Sequence, residues 1–108
     1  MKRRGLEVDE RREGETVFVA LVGELDVASA PRLQQAVARL CADGETSALT
    51  LDLGQLTFID STGLAVIAYT SRLCERRACE LAVIRGPDAV HGVFEMTGLA
   101  EQLPFCSR

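Results

Sequence analysis

Asp60, Ser61, Thr62 and Gly63 place a carboxylate, two hydroxyls and a glycine in four consecutive positions, within the stretch Thr57-Phe58-Ile59-Asp60-Ser61-Thr62-Gly63-Leu64. Two kinds of chemistry suit that run. Asp, Ser and Thr are all good N-cap residues, and a cap that starts a helix accounts for them locally. A hydroxyl presented at a helix N-terminus is also a place to receive a phosphoryl group, because the free N–H groups and the helix dipole favour an anion there. On this second reading Ser61 is the acceptor. A phosphate at that point alters the charge of a surface without unfolding the domain.

The flanking residues say which elements must hold the cluster. Leu49, Leu51 and Leu53 alternate with polar residues as a strand does, and that strand ends before the cluster. The run Leu64-Ala65-Val66-Ile67-Ala68-Tyr69 begins a helix after it, so the cluster sits at a strand-to-helix junction. This helix carries two apolar stripes. Leu64, Ile67, Ala68 and Ser71 form one; Val66, Tyr69 and Leu73 form the other. A helix apolar on two sides is either buried on both or keeps one side for a partner. Arg72, Arg76 and Arg77 close it, where cations match the dipole.

Leu6 to Glu10 alternates apolar and charged residues and reads as an edge strand. Arg11 to Gly14 reads as a turn, and Thr16 to Val22, rich in β-branched residues, as the inner strand of a hairpin. After Gly23-Glu24-Leu25-Asp26 comes a helix capped by Ser29, with Pro31 in its first turn. Leu33, Ala36, Val37, Leu40 and Cys41 form its apolar stripe, and Asp43-Gly44 ends it. Cys79 to Ile84 is another strand. Gly86-Pro87-Asp88 breaks the chain before a helix through Met96, and Gly98 is a natural C-cap. Leu99 to Phe105 forms a short last strand, which Pro104 confines to an edge.

The order β-β-α-β-α-β-α, with a final β, predicts an α/β fold with a mixed sheet: an N-terminal β-hairpin and otherwise parallel strands packed with helices. The expectation is one domain over residues 1–108, with its core at about 5–106. In a parallel sheet the C-terminal strand ends gather on one edge. Asp26 and Asp60 thus share a surface with Ser61.

Composition narrows the function. The chain has 108 residues, 47% hydrophobic and 26% charged, which suits an ordinary globular domain. It contains no run long enough to span a membrane, and Met1 to Gly5 leads into no apolar signal core. The expected location is cytoplasmic. A net charge of −4 argues against nucleic acid as a direct partner. Cys41, Cys74, Cys79 and Cys106 form no CxxC pair and read as buried free thiols, not as disulfides or a metal site. There is no GxxxxGK[ST], GxGxxG or GxSxG. A Ser-His-Asp hydrolase would have to use the single histidine, His91, in a chain order that matches none of the common triads. No catalytic residue, metal or cofactor is expected.

Gly23-Glu24-Leu25-Asp26, Leu51-Asp52-Leu53, Phe58-Ile59-Asp60-Ser61-Thr62-Gly63-Leu64 and Phe94-Glu95-Met96-Thr97-Gly98-Leu99 together resemble the STAS domain, and more narrowly the bacterial anti-sigma factor antagonists. The resemblance runs from about Thr16 to Leu99. It implies a binding module, not an enzyme. Unmodified, it would hold an anti-sigma factor that is also a serine kinase of the histidine-kinase-like ATPase fold, and so release the sigma factor. Phosphorylation of Ser61, with Thr62 as the alternative acceptor, would switch it off, and a PP2C-type phosphatase would restore it. ATP and magnesium would belong to the kinase. The implied docking surface takes in Asp26, Asp60, Ser61, Thr62 and Gly63, with Val66, Tyr69 and Leu73 supplying its apolar part. The same fold also serves as a scaffold or subunit of stress-signalling and lipid-transport complexes, which is the alternative.

Overall fold

Val17, Val19, Leu21, Leu49, Leu51 and Leu53 are each at most 1% exposed. Their alternation along two neighbouring strands builds the buried face of a sheet. In the computed structural model, residues 5–106 are described; the Met1–Arg4 part of the stretch weighed as a signal sequence lies outside them. The strands are β1 (Leu6–Glu13), β2 (Thr16–Leu25), β3 (Ala48–Ile59), β4 (Glu80–Ile84) and β5 (Phe105–Cys106). The helices are α1 (Ala30–Ala42), α2 (Ser61–Arg76) and α3 (Asp88–Met96), followed by a 3₁₀ turn at Leu99–Glu101. The sheet order is β1-β2-β3-β4-β5. β1 pairs antiparallel with β2, and every other pairing is parallel. This is the expected mixed α/β sheet, with β1 and β5 at its edges. Because the parallel strands follow one another in chain order, right-handed crossovers put all three helices on one face. There Leu33 and Val37 of α1, Ile67 of α2 and Phe94 of α3 close the core.

Three stretches depart from the sequence reading. The run Leu99 to Phe105 is not a strand throughout: Leu99–Glu101 is the 3₁₀ turn, and β5 is only Phe105–Cys106. Arg11 and Arg12 continue β1, and the turn is only Gly14-Glu15, with Gly14 in the left-handed region (φ 64°). Both arginines are held across the strand. The Arg11 guanidinium lies 5.0 Å from the Phe18 ring centroid. Arg12 donates to the Asp43 carboxylate at 2.9 Å and to Thr46 Oγ1 at 2.9 Å. β3 also runs on past Leu53. Against β2 it carries an extra residue twice, between the partners of Ala20 and Val22 and between those of Gly23 and Glu24. The bulges change its burial rhythm from two to three, so that Leu53, Leu56 and Ile59 all face the core.

Ser29 stands at the N-cap position of α1, but its hydroxyl does not cap the helix. It donates to Glu24 O at 2.8 Å and accepts from Asp26 N–H at 3.0 Å. Gly98 has φ 80° after α3, as its C-cap role requires. Among the described residues no helix is long and apolar enough to cross a membrane.

The end of α2 is tightly wound. Ala78 takes φ 56°. Its N–H donates to Glu75 O at 3.4 Å, and Cys79 N–H donates to Cys74 O at 2.9 Å. This bond pair is a Schellman motif, which normally places glycine where Ala78 stands. A Cβ in that conformation costs about 1–2 kcal/mol. Ala78→Gly should therefore raise unfolding free energy by about 0.5–1 kcal/mol after the added unfolded-state entropy is counted, as read by urea denaturation.

Candidate functional site

Leu25 and Ile59 are paired at the C-terminal ends of β2 and β3. Asp26 and Asp60 therefore leave the sheet side by side, as the strand-end argument requires. Asp60 N–H donates to Leu25 O at 3.2 Å, continuing the ladder by one step. Its carboxylate then divides. Oδ1 accepts from Gly63 N–H at 3.0 Å and caps α2; Oδ2 accepts from Val27 N–H at 3.2 Å and holds the turn that leaves β2. Asp26 folds that same turn from within, Oδ1 accepting from Ala28 N–H at 3.0 Å and Ser29 N–H at 3.1 Å. Both aspartates thus act first on backbone.

Ser61 is the first residue of α2 and is exposed; Thr62 beside it is half-exposed. The hydroxyl predicted as acceptor is therefore open to solvent at the helix N-terminus. Gly63 is buried beneath it. A Cβ there would stand 2.7 Å from Leu25 O and 2.9 Å from both Ile59 Cγ1 and Leu25 Cγ. Gly63 is thus a close-packing residue that seats α2 on the strand ends.

The apolar stripe on α2 needs a second correction. Val66 is 7% exposed and Leu73 8%, and both belong to the core together with the α1 stripe. Tyr69 is half-buried against the same cluster. With α1 packed along α2, the two apolar sides of α2 face the sheet and α1, so Val66 and Leu73 are closed to a partner. The apolar groups that do stand open beside Ser61 are others. Val27 is 69% exposed on the turn tied to Asp60, and Phe58 is 47% exposed two residues before Asp60. Phe58 lies in the bulged half of β3, where Thr57 and Phe58 are both exposed and alternation gives no signal. Val27, on a turn, carried none.

His91 is buried in α3, its ring 4.8 Å from that of Phe105 and 6.2 Å from that of Phe94. Its Nδ1 has no hydrogen-bond partner among the described residues. A triad histidine is oriented by a carboxylate at that nitrogen, so the geometry gives the hydrolase reading no support.

A model of the STAS domain matches residues 7–108. The chain belongs to the STAS domain family. An anti-sigma-B factor antagonist of Listeria monocytogenes is 29% identical over 96 residues, covering 89% of this chain and 82% of the relative. The crystal structure of an anti-sigma factor antagonist from Mycobacterium paratuberculosis superposes with a TM-score of 0.79 at 27% identity, over 93% of this chain and 84% of that one. The Bacillus cell fate determinant SpoIIAA, in its phosphorylated form, superposes with a TM-score of 0.74 at 20% identity, over 95% of this chain and 90% of that one, a likeness of fold. In this STAS domain the junction depends on the missing side chain at position 63. Gly63→Ala should cost about 1–3 kcal/mol of stability by overpacking against backbone and core, measured as a lower urea midpoint at unchanged slope.

Proposed function

We propose that this STAS domain is an anti-sigma factor antagonist switched by phosphorylation of Ser61. The observation that carries the reading is the exposed Ser61 hydroxyl at the first position of α2, next to the Asp60 cap. The named relatives support the antagonist role. The partner is an anti-sigma factor with serine kinase activity of the histidine-kinase-like ATPase fold, and a PP2C-type phosphatase reverses the reaction. The reading places the protein in the cytoplasm, away from membrane and nucleic acid, as a substrate and binding module with no catalytic residue of its own.

In the phosphorylation step Ser61 Oγ attacks the γ-phosphorus of the kinase's ATP. The bond from that phosphorus to the ADP oxygen breaks, and the serine proton passes to a base on the kinase. Hydrolysis by the phosphatase returns the hydroxyl and inorganic phosphate. The phosphate brings about −1.5 to −2 charges to a surface that already holds Asp26 and Asp60. The N-terminus of α2 tolerates an anion, so the fold persists. A docked partner must instead desolvate that charge, which disfavours the complex. The docking surface comprises Asp26, Asp60, Ser61 and Thr62, with Val27 and Phe58 as its apolar contacts.

With the cognate kinase and ATP, mass spectrometry should find one phosphate, at Ser61. Ser61→Ala should bind the kinase as the unmodified protein does and remain unphosphorylated. Ser61→Asp should bind at least tenfold more weakly. Equal binding by both variants, or a phosphate only at Thr62, would overturn the assignment of Ser61. Phe58→Ala should weaken kinase binding by about tenfold, the loss expected when one large apolar contact of about 1.5 kcal/mol is removed, while circular dichroism shows the native fold retained.

A further inference from the structure

At the opposite end of the helices from Ser61, three sulfurs from three elements converge. Cys41 lies at the C-terminal end of α1, Cys74 in the last turns of α2, and Cys79 immediately before β4. Their Sγ atoms all lie within 4.8 Å of one another. Those of Cys41 and Cys74 are 3.9 Å apart. Three thiolates each about 2.3 Å from one zinc ion stand about 3.8–4.0 Å from one another, in tetrahedral or trigonal arrangement alike. The cluster is within about 1 Å of a ligand set, a gap that rotation about the Cα–Cβ bonds can close.

The backbone holds these sulfurs together. The left-handed turn at Ala78 folds Cys79 back onto the last turns of α2, where its N–H meets Cys74 O. A cavity of about 330 Å³, lined in part by Ser71, Cys74, Glu75, Cys79 and Leu103, opens onto two of the three cysteines. It offers a way in for an ion and room for a fourth ligand. Cysteine packs well as a small apolar residue, and packing alone would explain a buried pair. It does not explain three convergent sulfurs beside an open cavity.

We propose that Cys41, Cys74 and Cys79 form a three-thiolate site for one soft divalent cation, zinc being the natural ion, with the fourth position facing the cavity. Three S–H protons leave and three metal–sulfur bonds form, with no change of oxidation state. The ion ties the end of α1 to α2 and to the start of β4. It is independent of the Ser61 switch.

The test is titration of the reduced full chain with cadmium chloride and, separately, zinc chloride. One equivalent of cadmium should produce a thiolate-to-metal charge-transfer band in the ultraviolet with the intensity of three thiolates. Each metal bound should release about three protons, read as the buffer dependence of the calorimetric heat. Melting temperature should rise with metal concentration. Cys106→Ser, altering an exposed thiol outside the cluster, should leave all of this unchanged. Cys41→Ser and Cys79→Ser should each weaken binding at least tenfold while keeping the native circular dichroism. These two decide the matter should Cys74→Ser fail to fold. Binding that vanishes in Cys106→Ser, binding unaffected by Cys41→Ser, or a charge-transfer band that appears only with loss of native circular dichroism would overturn the site.

Discussion

The Asp60 carboxylate is the constraint on which the rest of the active edge depends. One oxygen fixes the first turn of α2 and the other fixes the turn leaving β2. A charge-assisted bond to backbone N–H is roughly twice as strong as a neutral one, and here a single side chain makes two. The position of Ser61 follows directly. It is the residue after the cap, so its orientation is set by a helix start that cannot slide without breaking both bonds. Asp26 supports the same turn from the other side through Ala28 and Ser29. The two acids are therefore built into the platform that presents the hydroxyl, and their negative charge comes with the architecture.

The sheet explains why the platform exists at all. Parallel strands β2 and β3 end level, at Leu25 and Ile59, only because β3 takes in two extra residues through its bulges. The buried rhythm Leu53, Leu56, Ile59 keeps the strand on the core through that irregularity. Gly63 then lets α2 drop onto the strand ends, close enough that no side chain fits. Each feature lowers the freedom of the junction, and a rigid junction forms an interface at a lower entropic cost than a flexible one.

Much of this was legible in the residues. The β-branched run of β2, the stripe on α1, the cap at Asp60 and the break at Gly86-Pro87-Asp88 follow local rules, and local rules held there. What escaped depended on contacts distant in sequence. The second half of β3 was hidden because its bulges replace the period of two with one of three. The role of Val66 and Leu73 turned on whether α1 would lie along α2, which no periodicity within α2 can decide. Arg11 and Arg12 read as turn residues because their partners, Phe18, Asp43 and Thr46, are supplied by pairing across the hairpin and by the α1–β3 connection. The three thiols give no spacing signal, since Cys41 reaches the others only through helix packing.

Magnitudes indicate where a phosphate on Ser61 would act. A helix N-terminus stabilises an exposed anion by about 0.3–1 kcal/mol, so the modified domain stays folded. Val27 and Phe58, if fully covered, contribute about 1.5–3 kcal/mol each before the entropy of association is counted. Burying an unpaired charge beside them costs several kcal/mol, enough to cancel both contacts. On the proposed reading a phosphate would leave the domain folded, and its penalty would fall on the complex. That asymmetry is what the proposed switch needs, and it would arise because the Ser61 hydroxyl belongs to a helix start while Val27 and Phe58 belong to the neighbouring turn and strand end.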